Sequence, residues 1–304
     1  MIMKELELIR LYFYLCECND KLLCVHCQRF SANARPKNEK LTDVELLTIY
    51  FYCRRYEGKH SKAAIYDYAQ RYLRSWFPDL PAYANFNTRL NNLAPAMPYL
   101  VEQMLQELHM LDYQNIDTET SVLDSLPIML CSGKRQGKVA PELSEKSFCA
   151  TKGIYYFGLK LHALAFRRPG KLPLPEVLMA TSAAENDLEA FRSLMPTPTN
   201  RSIFADKAYA DLQQQNHLTQ NANARMITPV KLVKGESQTT RQFKKAADQL
   251  FSTAVSSIRQ PIEGFFNWLI EKTDIQNASK VRCTKGLILH TFGAIAAALT
   301  FWLF

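Results

Sequence analysis

Ten glycines in 304 residues leave no Gly-rich loop able to cradle a phosphate. Neither G-x-S-x-G nor H-E-x-x-H occurs, which removes the serine nucleophile elbow and the helical zinc-protease motif. There is no internal repeat and no low-complexity tract. Nor is a signal peptide expected: Glu5, Glu7 and Glu17 interrupt the first apolar run, and no small-residue cleavage site follows. Eight cysteines in a chain of this length do not make a disulfide scaffold. Among Cys16, Cys18, Cys24 and Cys27, only the last pair has C-x-x-C spacing. Cys16 and Cys18 fall in a run that reads as helix and point to different faces, against the tetrahedral geometry of zinc. These are the reduced thiols expected of a cytoplasmic protein.

What is present describes a folded chain with an anionic partner. Apolar residues make up 47% and charged residues 22%, the composition of a globular protein. The net charge of +8 favours nucleic acid or an acidic membrane. Lys134, Arg135, Lys138, Lys146, Lys152, Lys160, Arg167, Arg168 and Lys171 crowd residues 131–171 against only Glu142 and Glu145. The apolar run Leu287 to Phe304 is at the lower edge of bilayer-spanning length, roughly 17–25 residues. Gly293 and its neighbouring alanines suit close packing, so a buried helix closing the core is expected rather than a membrane anchor.

Helical patterning fills the first third. Residues 1–30 read as one or two amphipathic helices, and 31–39 as a polar loop. Thr42 and Glu45 form a capping box opening a helix to about Tyr56. After the turn Glu57-Gly58-Lys59-His60, Ser61 caps a helix to about Arg74, and the pair fits a helix-turn-helix or any small bundle. Further helices span Ala82 to Leu93 and about Tyr99 to Leu111, with prolines 95 and 98 as breaks. Beyond Asp112 the texture changes. Strands are expected at Ser121–Asp124, Tyr155–Ala165, Pro175–Ala180, Ser202–Asp206 and Ala224–Pro229. Residues 132–153 read as a loop, 187–194 and 208–218 as helices, and 231–245 as a basic polar segment. This predicts an all-helical region over 1–111, DNA-binding if the pair is a helix-turn-helix, and a mixed five-stranded α/β domain flanked by helices over 112–304.

The chemistry gathers around Ser256 to Leu269. Ile258, Ile262, Phe265, Phe266 and Leu269 give this helix one apolar face, while Arg259 and Glu263, four apart, share a side. Alone they would be a surface ion pair worth a few tenths of a kcal/mol. Asp124 and Asp206, however, each end a short apolar run and are each followed by a turn. Either alone could be a helix cap. Asp117 competes with Asp124, but their odd separation puts them on opposite faces of one strand. Three carboxylates brought together repel unless protonated or bound to cations, and an all-oxygen set suits Mg²⁺ or Mn²⁺. Two such ions can drive in-line attack on a phosphodiester.

These residues carry a resemblance to the DDE transposases of bacterial insertion sequences, in the RNase H-like superfamily with the retroviral integrases. The chain is most similar to insertion-sequence family nine-eighty-two. The resemblance runs in order through Leu41-Thr42-Asp43-Val44-Glu45, the stretch from Phe77 to Leu90, Asp124-Ser125-Leu126-Pro127 with Cys131, Tyr156 to His162, Ala205-Asp206-Lys207-Ala208-Tyr209 and Arg259-Gln260-Pro261-Ile262-Glu263. It implies an RNase H-like catalytic core and a metal-binding catalytic triad of Asp124, Asp206 and Glu263 holding two Mg²⁺ or Mn²⁺ ions. Arg259 would partner the last acid. Lys160 and His162, with Lys207, Lys134 and Arg135, would contact DNA or support the site. The related signature Y-x-x-R-x-x-x-E-x-x-x-x-x-x-K has Ser256 in place of its Tyr and Ile270 in place of its Lys, with Lys272 nearby. The implied reaction cuts the element's inverted-repeat ends and joins the 3′-hydroxyl to target DNA, in a homodimer on double-stranded DNA. A metal-dependent nuclease without strand transfer and a catalytically inactive DNA-binding protein are the alternatives.

Overall fold

Helices open the chain. The computed structural model describes residues 2–18, 20, 41–134, 137–231 and 237–304. Within them lie α1 (Ile2–Cys18), α2 (Asp43–Tyr56), α3 (Lys62–Tyr72), α4 (Tyr83–Asn92) and α5 (Met97–Leu111). The Thr42 hydroxyl accepts from Glu45 N–H at 3.1 Å and the Glu45 carboxylate accepts from Thr42 N–H at 2.6 Å, the reciprocal cap read from the sequence. Ser61 caps α3 through the Ala64 N–H. Pro98, expected as a break, instead stands in the first turn of α5, where its missing N–H leaves no bond unmade.

The sheet has six strands rather than five: β1 (Asp117–Ser132), β2 (Glu145–Cys149), β3 (Ile154–Arg167), β4 (Leu174–Ser182), β5 (Ser202–Ala205) and β6 (Arg225–Ile227). Its order is β2-β3-β1-β5-β6, with β4 also paired to β3. β2 and β4 share one edge of β3, at residues 154–158 and 159–166 respectively. β1 runs antiparallel to β3 and parallel to β5, and β5 runs parallel to β6. The unexpected strand is β2, in the segment read as a loop. It is a largely exposed edge carrying Glu145, Lys146 and Ser147, so it lacks the apolar alternation that marks a half-buried strand.

β1 corrects a second expectation. It does not stop at Asp124; it continues through Pro127 to Ser132. The ladder to β5 ends at Leu123–Ala205, and beyond it the same side of β1 meets only the segment around Asn277, where Met129 N–H donates to Gln276 O at 2.8 Å. Backbone groups of alternate residues point the same way, so Pro127 faces the gap between those partners and removes no ladder bond.

Each face of the sheet is covered. Val122, Leu126, Ile128 and Leu130 pack with Ile262, Phe265, Phe266 and Leu269 of α8 (Gln238–Thr273) and with α9 (Thr284–Leu303). Each such side chain contributes roughly 1.5–3 kcal/mol by leaving water. On the other face Leu123, Leu164, Ile203 and Ala205 meet Phe191 of α6 (Asp187–Leu194) and Leu218 of α7 (Leu212–Ala222). α9 is long and apolar enough to cross a membrane, and 67% of its apolar window is buried inside the protein. It packs on α5, α2, α8 and α4. A Cβ on Gly293 would lie 2.8 Å from the Tyr50 hydroxyl, which shows how closely α9 approaches α2. One hydrophobic core therefore contains Leu100 and Leu105 of α5, Val122 of β1 and Ile295 of α9, running across the 111/112 boundary.

Candidate active site

The last rung of the parallel ladder, Leu123–Ala205, sets the geometry. The next residues are Asp124, still within β1, and Asp206, just past the end of β5, at one level and about one strand spacing (~4.8 Å) apart. β5 ends there. Asp206, at φ −70° and ψ 162°, starts a single 3₁₀ turn over Lys207–Tyr209, and its carboxylate accepts from Lys207 N–H at 2.7 Å. Asp124 accepts from Ser125 N–H at 2.9 Å. Over this edge runs α8, held down by Ile262, Phe265 and Phe266, and it brings in Arg259 and Glu263 one turn apart.

Arg259 ties the elements together. Its Nη1 donates to Asp124 Oδ2 at 2.5 Å and its Nη2 to Glu263 Oε1 at 2.5 Å. Its pair with Asp124 is largely buried, at 15% and 20% side-chain exposure, whereas Glu263 stays half exposed. Burial pushes the Asp124 carboxyl up to about 6. The Arg259 guanidinium and the Ser125 N–H pull it down, while the charges of Asp206 and Glu263 push it further up. Burial opposes the charge on Arg259, but Asp124, Glu263 and Asp206 outweigh it and hold the guanidinium above its ordinary pKa. Asp206 and Glu263 thus both act on Asp124, and all three predicted carboxylates act on a single guanidinium.

That donor set fits a hard divalent cation: oxygen ligands only, with three carboxylates against one fixed positive charge. As the side chains stand, no three His, Cys, Asp or Glu among the described residues close into a metal-ligand group. Arg259 is the cation bonded to two of the carboxylates. Asp124, Asp206 and Glu263 are the residues that would hold an ion here.

The other predicted residues divide. Lys207 follows Asp206 and is exposed beside it. Lys134 lies in the turn past Ser132, at the far end of β1 from Asp117 and ten residues beyond Asp124 in sequence. Arg135 is outside the described residues, as are Cys24 and Cys27, while Cys16 and Cys18 on α1 are not in disulfides, and Cys18 Sγ accepts from Gln103 Nε2 at 3.5 Å. Asp117 sits at the far end of β1, 3.6 Å from Arg167. Lys272 pairs with Glu271 and lies over the Phe301 ring, away from the carboxylates.

Lys160 and His162 occupy the opposite face of the sheet from Asp124, because Ser125, not Asp124, pairs with His162. Lys160 Nζ donates to Glu185 O at 2.6 Å and to Asp187 Oδ1 at 3.0 Å, and Ser125 Oγ donates to the same carboxylate oxygen at 3.3 Å. His162 is wholly buried, with Nε2 2.8 Å from Thr181 Oγ1, and burial lowers its pKa. So sealed, it presents no atom to DNA; its place is behind Asp124. Asp187, which gathers this cluster, was not singled out from the sequence: following the Asn186 cap, it reads as an ordinary first-turn acid. Tyr209 joins it from the 3₁₀ turn with a buried, unpartnered hydroxyl, whose pKa burial and then the charges of Asp187, Asp124 and Asp206 drive well up.

Comparison with protein-family models, with curated proteins and with solved structures returns no match.

Proposed function

We propose that this protein is a DNA transposase of the DDE type, cutting the ends of an insertion sequence and joining the freed 3′-hydroxyl to target DNA. One observation carries the reading: Asp124, within β1, and Asp206, just past the end of β5, follow the last rung between these adjacent parallel strands, and α8 adds Glu263 through Arg259. Three antiparallel strands followed by two parallel ones support an RNase H-like core, with β2 an addition to it. In this reading the N-terminal helices, α2 and α3 foremost, recognise the repeat ends in a homodimer. The protein works in the cytoplasm on double-stranded DNA, with α9 as a core helix rather than an anchor.

Two Mg²⁺ or Mn²⁺ ions held by Asp124, Asp206 and Glu263 would supply the activation of the attacking oxygen and the stabilisation of the leaving one. The chain's own part is positioning. Ser125 and Lys207 backbone N–H groups orient the two aspartates, and Arg259 aligns Glu263 with Asp124 across the gap between sheet and helix. Lys207 stands exposed at the rim, where a phosphate of the bound strand would approach.

The test is incubation of the full chain with Mg²⁺ and a duplex carrying the inverted repeats that flank its reading frame. Cleaved ends joined to a second duplex are expected. Cleavage without joining would leave a nuclease, and a function unchanged by Asp124→Asn would leave a DNA-binding protein.

A further inference from the structure

A second concavity opens where the turn between α2 and α3 meets the chain leaving α8. It encloses about 480 Å³, within the roughly 300–1,000 Å³ range of small-ligand sites. Four basic side chains line it, Arg54, Lys59, Lys62 and Lys280, burial lowering the pKa of Lys62, with Asp274 the single acid among its described lining residues. Arg54 is 3% exposed. Its Nη atoms donate to His60 O at 2.9 Å and Thr273 O at 3.0 Å, both uncharged, and its Nε is buried with no hydrogen-bond partner. Lys62 Nζ donates to Asn91 Oδ1 at 2.7 Å, again uncharged. Among the described residues no carboxylate pairs with this guanidinium, which lies 5.3 Å from the centre of the Tyr50 ring, and a buried charge so placed is uncompensated.

Backbone adds to the same sign. α3 begins at this wall, and the N–H groups of Lys62 and Ala63, in its first turn, have no intrahelical acceptor. The two histidines that line the cavity are shifted mainly by burial, and Asp274 opposes Arg54 at His60. Burial and then Arg54 push both imidazoles down, His290 to about 4.

We propose that this cavity binds a phosphate group. A tetrahedral phosphate oxyanion matches the Arg54 fork, the flexible ammonium groups and a helix N-terminus together. Arg54 reaches it while holding the carbonyl of Thr273, the last residue of the helix that carries Arg259 and Glu263. The group comes either from a DNA backbone or from a free small phosphate. Nothing in the cavity uses the three carboxylates, so the site stands whether or not the transposase reading does.

Calorimetric titration of the full chain with pyrophosphate, in EDTA so that no metal at the carboxylates captures the anion, tests this. Saturable binding is expected, at least tenfold weaker in the double variant Lys62→Ala/Lys280→Ala and unchanged in Arg71→Ala and Asp124→Asn. If the double variant fails to fold, Lys59→Ala replaces it, with at least a threefold loss expected. No saturable binding by the wild-type chain, or equal affinity in the cavity variants, overturns the proposal. With binding shown, displacement of pyrophosphate by a short duplex identifies the DNA backbone as the source, and retention identifies a free phosphate.

Discussion

Asp124 is ionised at a cost to the fold. Its folded pKa near 6 lies above the ordinary aspartate value of about 3.9. Between those values the folded chain binds more protons than the unfolded one, so stability falls as pH rises from about 4 to about 6, by on the order of 3 kcal/mol in all. In metal-free buffer at pH 7.5, Asp124→Asn should therefore melt above the wild-type chain, and the advantage should vanish at pH 4. Thermal melts at the two pH values check it. If the proposed transposase activity is correct, the same variant should lose DNA cleavage by at least about a thousandfold while retaining DNA binding, measured by gel shift. Stability surrendered at one carboxylate is the expected signature of a group kept for chemistry.

Among the elements, local signals were readable wherever they rest on short-range chemistry. The Thr42–Glu45 box satisfies two N–H groups reciprocally, and Thr42→Ala should lower stability by about 1 kcal/mol in urea denaturation. Long-range pairing was less readable. Pro127 reads as a strand end, because nothing local says that its side of β1 has already parted from β5. β2 reads as loop because an exposed edge needs no apolar alternation. Gly158 records the same kind of information: a Cβ there would lie 1.9 Å from Ile128 O across the β1–β3 ladder. Gly158→Ala should destabilise by on the order of 3 kcal/mol, seen as a shifted denaturation midpoint. Asp206 and Glu263 were legible because strand end and helix face are local patterns. Asp187 was not, since its partners Lys160 and Ser125 meet it only through the sheet.

The whole molecule is bound together by its last helix. α9 packs on α5, α2 and α4 as well as α8, so the helical third and the sheet share one core. Residues 1–111 expressed alone should lack a cooperative melt by circular dichroism, whereas the full chain should show one transition; an independently folding fragment would argue for two separable domains. This sharing also fixes α8, and through it the height of Glu263 above the two aspartates. Composition announced a basic chain and an apolar C-terminus. The contacts of that C-terminus needed the fold, since Gly293 against Tyr50 joins residues some 240 positions apart.

The central claim is that Asp124, Asp206 and Glu263 together hold hard divalent cations. Titration of the metal-free chain with Mn²⁺, followed by calorimetry on wild type, Asp124→Asn, Asp206→Asn and Glu263→Gln, tests it most directly. The account predicts saturable uptake by the wild-type chain and at least tenfold weaker binding in each variant. Variants that bind Mn²⁺ as tightly as the wild type would contradict it.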